Sequence, residues 1–185
     1  KHLGAKELYP NKYEFKYPKA GDPNSKIKIG LYDVKKDRTK FIANKDEYIP
    51  RIKWTNYDSR LVIYTLNRHQ NHLRLHTINP RNLDERLIYE EKNKYYIDIS
   101  DQITFLKDKN AFLFTSERSG YNHIYYQDIR KNRTKQVTKG NWEVTSLHGI
   151  DEASGTVYYT SAERSPLDRN LYSIKTNGRK KKSLT

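Results

Sequence analysis

Short apolar runs return along this chain at a near-constant interval, and that repeat restricts its fold more than any other feature. Aligned on Thr65, Thr115 and Thr160, three copies lie 50 and 45 residues apart. The first runs through residues 49–54, a turn at Asn56-Tyr57-Asp58, then 60–65, 72–78 and 85–89. The second runs through 103–106, a turn at 107–110, then 111–116, 123–129 and 133–138. The third runs through 144–150, a turn at 151–155, then 156–161, 169–174 and 180–185. Helical periodicity is weak throughout, and clusters of Asn, Asp, Gly and Lys separate the runs, which is an all-β pattern. Four strands in about 40–50 residues is the period of a propeller blade.

Residues 28–34 and 38–43 match the last two strands of a further copy. The expected fold class is therefore all-β, a partial β-propeller of about three and a half four-stranded antiparallel blades. Its segments are 1–48 (an N-terminal stretch and the last two strands of a blade), 49–92 (a blade), 93–140 (an interblade segment and a blade) and 141–185 (a blade). Within each copy the first strand is expected to line the central channel. The second is nearly all apolar, as a strand packed between two neighbouring blades must be. The third alternates, and the fourth is short and charged, as suits an outer edge. Propellers close with about four to eight blades, so this piece reads as an arc of a larger ring.

Composition enters where it excludes alternatives. Aromatics reach 12%, with 16 Tyr, although the hydrophobic share is only 35%. Disordered chains lack both the rings and the regular alternation. The net charge is +14, yet Lys and Arg are spread through nearly every turn, with the densest run at Arg179-Lys180-Lys181-Lys182. That distribution reads as a solvated surface with non-specific attraction to anionic polymers, and no specific nucleic-acid partner is expected. No run approaches 18 apolar residues, so no membrane partner is expected either. Lys1-His2-Leu3-Gly4 leads into polar sequence without the apolar core of a signal peptide, and with no Met the chain reads as an excised fragment. Zero Cys excludes disulfides and thiolate metal sites.

A search for chemistry finds little. Gly-x-Ser-x-Gly, which would seat a nucleophilic serine on a strand-to-helix turn, is absent, as is any Gly-rich phosphate loop. No cofactor and no metal are expected. His69 and His72 fall in a polar inter-strand turn, and His123 takes the place of His72 one blade later, so these read as turn-satisfying residues rather than ligands. His148 stands alone in a first strand and could face the channel. Glu90-Glu91 runs into Lys92-Asn93-Lys94 and reads as a solvated strand end. Glu117-Arg118 and Glu163-Arg164 recur after the second strand of consecutive blades, as an architectural ion pair or turn cap would. Trp142 reads as interblade packing. Asp98 and Asp101 share a segment between blades with Tyr95 and Tyr96, where connections open onto one face of the ring and binding loops gather.

Tyr17-Pro18-Lys19-Ala20-Gly21-Asp22-Pro23-Asn24 is unusual for a generic propeller. With residues 115–123, 137–144 and 165–172, it resembles, in order and spacing, the N-terminal propeller of dipeptidyl peptidase IV, a serine exopeptidase of the prolyl-oligopeptidase type, in its bacterial, Bacteroidetes-like branch. The likeness covers essentially the whole chain. It implies an eight-bladed ring capping an α/β-hydrolase domain that removes N-terminal dipeptides after Pro or Ala. The ring would wall the substrate cavity and gate peptide access, so the chain alone is expected to be non-catalytic and its parent a serine-type dipeptidyl peptidase. The implied partners are a peptide substrate and that hydrolase domain, in a periplasmic or otherwise extracytoplasmic, homodimeric parent. The family's amine-gripping glutamate pair and its arginine lie before Tyr17, and its catalytic triad lies beyond Thr185. One family contact, an aromatic beside the extended substrate, falls near residues 96–98. Tyr96 and Asp98 are thus the candidate substrate-binding residues. A free-standing scaffold for protein partners, or a basic nucleic-acid-binding module, are the alternatives.

Overall fold

The structure is a computed structural model and describes residues 9, 14–43, 46–56, 59–107 and 109–185. Tyr57, Asp58, Asp108 and the stretch Lys1 to Gly4, on which parts of the sequence reading fall, lie outside the described residues. Fourteen strands and no helix make up the described chain. A two-stranded antiparallel hairpin comes first, β1 (Ile29–Asp33) with β2 (Arg38–Ile42). Three four-stranded antiparallel sheets follow, each a simple meander.

The first sheet holds β3 (Tyr48–Trp54), β4 (Leu61–Leu66), β5 (His72–Ile78) and β6 (Glu85–Lys92). The second holds β7 (Ile103–Phe105), β8 (Ala111–Ser116), β9 (His123–Asp128) and β10 (Arg133–Gln136). The third holds β11 (Val144–Asp151), β12 (Thr156–Ser161), β13 (Asn170–Lys175) and β14 (Lys182–Ser183). This is the all-β partial propeller that the repeat implies.

The core is divided among the junctions between consecutive sheets, and the second strand of each sheet explains why. Side chains alternate across a strand. In β4, Leu61 and Ile63 pack back against the hairpin, beside Ile42 and Ile78. Its intervening residues Val62, Tyr64 and Leu66 face the next sheet. In β8, Phe112 and Phe114 join that same cluster, while Leu113 turns forward to meet Val157 and Tyr159 of β12. Both β4 and β8 are consequently buried at every position. In β12, Tyr158 sits on the face that no further sheet of this chain covers and is partly exposed, whereas Val157 and Tyr159 are fully buried.

One sequence expectation needs correcting. The fourth strand is short in the second and third sheets, but β6 spans eight residues and buries Ile88, Tyr89 and Glu91. A register shift between Leu75 and His76 lets this longer strand follow β5 and turn its later residues inward. Polar side chains then lace the first strands together. Lys53 Nζ donates to the Ile103 carbonyl (2.8 Å) and Asn56 Nδ2 to the Phe105 carbonyl (2.8 Å). Gln102 bonds both the Leu147 amide (2.5 Å) and the Thr145 carbonyl (3.3 Å).

Candidate functional site

A cavity of about 390 Å³ opens where the first sheet meets the second, and the segment joining β6 to β7 forms its rim. That segment is pinned from beneath. The Asn93 amide donates to the Asn71 carbonyl (2.9 Å), and the Ile97 amide donates to the Gln70 carbonyl (2.8 Å). Ile97 is buried, so in an extended run its neighbours Tyr96 and Asp98 project outward, and both are exposed and line the cavity. Further along, Ser100 shares a hydrogen bond with Thr115 of β8 (2.8 Å) and accepts the Gln102 amide (3.0 Å). Asp101 receives the Arg51 guanidinium through Nε (2.5 Å) and Nη2 (3.3 Å). That pairing holds the Asp101 carboxyl below the usual carboxylate range.

The floor of the cavity is a buried charge cluster that the sequence reading missed. Glu91 is not part of a solvated strand end: it is buried, while its neighbour Glu90 is outside. Tyr89 and Glu91 share one face of β6, and the Tyr89 hydroxyl donates to Glu91 Oε2 (2.5 Å). The Ser116 hydroxyl donates to Oε1 (2.6 Å), and Arg118 Nη2 lies 2.8 Å from Oε2. Of the two roles expected for Glu117-Arg118, an architectural ion pair or a turn cap, Arg118 takes the first, with Glu91 of the preceding blade as its partner rather than Glu117. Burial pushes the Glu91 carboxyl upward, against a smaller downward pull from the Ser116 hydroxyl. The Arg118 guanidinium lies 5.0 Å from the ring centre of Tyr125, 5.2 Å from that of Tyr89 and 5.6 Å from that of Phe114. Such a cation loses water but gains three π faces and a carboxylate. One clue to the pair was available in the sequence: Tyr89 is apolar-facing, so period 2 turns Glu91 inward with it.

The histidines divide. His123 is buried, with Nε2 3.0 Å from the Gly140 carbonyl and Nδ1 3.1 Å from Thr138 Oγ1. A carbonyl only accepts, so Nε2 carries the proton, and the Thr138 hydroxyl takes the Ile124 amide (2.9 Å) while donating to Nδ1. This is the turn-satisfying role. His72, at the matching position, differs: its Nε2 faces Glu90 Oε1 at 2.5 Å, and the turn backbone is satisfied by Asn67 instead. His148 is exposed and bonds Thr160 Oγ1 (2.6 Å). Trp142 lies between blades, edge-on to His123 (4.9 Å) and stacked on Tyr159 (6.4 Å). Glu163 pairs with Lys181 rather than with Arg164. Among the described residues no three His, Asp or Glu side chains gather as metal ligands would, and no helix is long and apolar enough to cross a membrane.

An arc of four-stranded meander sheets, with its core divided among the junctions between them, defines a portion of a β-propeller. The dipeptidyl peptidase IV (DPP IV) N-terminal region family matches residues 2–185, and the chain belongs to that family. The chain is 28% identical over 198 residues to a probable dipeptidyl-aminopeptidase B of Phaeosphaeria nodorum, covering 97% of this chain and 22% of that relative. Among solved structures, Porphyromonas gingivalis dipeptidyl peptidase 4 matches with a TM-score of 0.85 at 39% identity, covering 99% of this chain and 26% of that one. A putative dipeptidyl aminopeptidase IV from Bacteroides ovatus shares the fold, with a TM-score of 0.76 at 24% identity, covering 90% of this chain and 27% of that one. The chain thus spans between 22% and 27% of the length of these relatives.

Proposed function

We propose that this chain walls one side of the substrate cavity of a dipeptidyl peptidase and limits entry to short or unfolded peptides. The observation that carries this reading is the cavity at the first blade junction. Its rim residues Tyr96 and Asp98 are held outward on a hydrogen-bonded segment, within a chain that belongs to the N-terminal region family. An extended peptide end could lie along that rim and be ordered there by hydrogen bonds and ring contacts. Hydrolysis itself would fall to an α/β-hydrolase domain of the parent, whose serine attacks the amide after a Pro or Ala in second position. This chain's part is to bind, orient and exclude. The reading includes an eight-bladed ring, an extracytoplasmic, periplasmic setting and a homodimeric parent.

The test compares the whole protein with the 185-residue chain on a Gly-Pro amide. Turnover by the whole protein and none by the chain is the expected result. Turnover by the chain alone, or none by the whole protein, would overturn it.

A further inference from the structure

The cavity has a charge opposite to that of the chain that builds it. The protein carries +14 overall, yet the cavity lining holds four carboxylates, Glu91, Asp98, Asp101 and Glu117, against a single guanidinium, Arg118. Two of the four are already matched, Glu91 by Arg118 and Asp101 by Arg51. Asp98 and Glu117 have no side-chain partner among the described residues and are exposed. Tyr96 lines the same cavity and is 56% exposed.

Arg118 cannot serve as the missing counter-ion. Its guanidinium is held under three rings and against Glu91, with 29% of the side chain exposed. An anionic ligand would meet two unmatched carboxylates, and an apolar one would have to strip them of water at a cost. A guanidinium or ammonium instead gains charge-assisted hydrogen bonds from the carboxylates and an attractive face from the tyrosine.

We propose that this cavity receives the basic side chain of an arginine- or lysine-bearing peptide, with Asp98 and Glu117 as its counter-ions and Tyr96 as its aromatic wall. This rests on the reading of the chain as the wall of a peptide cavity, and it names the class of peptide that the wall favours.

Titration calorimetry on the whole protein tests it, with acetyl-arginine amide against its neutral isostere acetyl-citrulline amide. The arginine probe is expected to bind about five-fold tighter, and the gap is expected to close in the Asp98→Asn, Glu117→Gln double variant. Both side chains are exposed, so the variant should keep the native near-UV spectrum. Equal affinity for the two probes, or a gap that survives in the variant, overturns the proposal. Gly-Pro amide turnover, measured beside it, separates the two claims. Turnover without the arginine preference sinks this inference alone. The preference without turnover supports the cavity's charge selectivity and sinks the peptidase reading.

Discussion

The two junctions between complete blades use the same strand positions and solve their polar problem in different ways. At the first, Ser116, Glu91 and Arg118 form a buried ion pair in which each oxygen of the Glu91 carboxylate receives a donor, under a lid of Tyr89, Phe114 and Tyr125. At the second, Ser161 takes the position of Ser116, and among the described residues no arginine turns back onto the preceding blade as Arg118 does: Glu163, two residues on, pairs with Lys181. Here Trp142 is wedged between His123, edge-on, and Tyr159, stacked, and that charged pair beside the seam is a more open one, whose Lys181 ammonium stands over the Trp142 ring. Ser161 Oγ and the Tyr159 hydroxyl are buried there without a partner. A propeller junction thus needs a filled volume, and the chemistry that fills it is free to vary.

Removing one half of the charged pair should cost the most. Arg118→Ala leaves Glu91 buried without its cation and strips three rings of theirs, so a loss of about 3–5 kcal/mol is expected in urea unfolding. A loss below about 1 kcal/mol would mean that the pair is ornamental and that the two junctions are energetically alike.

The second seam has its own weak point. Gly140 has φ +149°, and a Cβ there would lie 2.0 Å from Trp142 Nε1. Gly140→Ala must therefore strain the backbone or push the indole out of the seam, at about 2 kcal/mol. Loss of the Trp142 contribution to near-UV dichroism would show which. An unchanged stability would show that the wedge is not what closes the second junction.

These contrasts also mark how far the sequence could be read. Strand period, blade length and the continuous apolar runs of β4 and β8 were legible, because a strand packed on both faces has no choice but to be apolar throughout. The outward placement of Tyr96 and Asp98 follows from Ile97 once that residue is known to be buried, but nothing local says which of the three turns in. Glu91 and Arg118 lie 27 positions apart, and Glu91 stands beside Lys92 and an exposed twin, Glu90. Only the neighbouring blade, with Ser116 and Arg118 facing back, makes an inward carboxylate affordable. The period-2 step from Tyr89 hints that Glu91 turns inward, but residue spacing carries no trace of the distant cation that meets it there.

Acidity should distinguish the junctions more gently. Burial raises the Glu91 carboxyl above its ordinary value of about 4.3. A carboxyl whose folded value is raised binds its proton more tightly in the folded chain. Its contribution is therefore fully present below that ordinary value and is lost as pH rises through the folded one. The stability difference between the protein and its Glu91→Gln variant should accordingly shrink with rising pH across that window, in urea titrations at stepped pH. The same comparison for Ser161→Ala should be flat. A difference that grows with pH would show that the Arg118 cation outweighs burial at Glu91.

The smallest effect is the most discriminating. Tyr159 is fully buried and its hydroxyl has no partner, so burial pushes the phenol upward and the O–H forgoes the bond it would make in water. Tyr159→Phe keeps the stacking on Trp142 and on Tyr172, at 6.4 and 5.6 Å, and deletes only that group. Replacing an unsatisfied buried donor with hydrogen should be neutral or stabilising, within about 1 kcal/mol. Ser116→Ala at the other junction removes a hydroxyl that donates to Glu91, and should cost about 1 kcal/mol or more. Opposite signs for two hydroxyl deletions in equivalent seams would establish that one junction is held by polar bonds and the other despite its polar atoms. If Tyr159→Phe instead costs as much as Ser116→Ala, the second junction contains a bonded hydroxyl after all, and the contrast between the two seams reduces to the charge of Arg118.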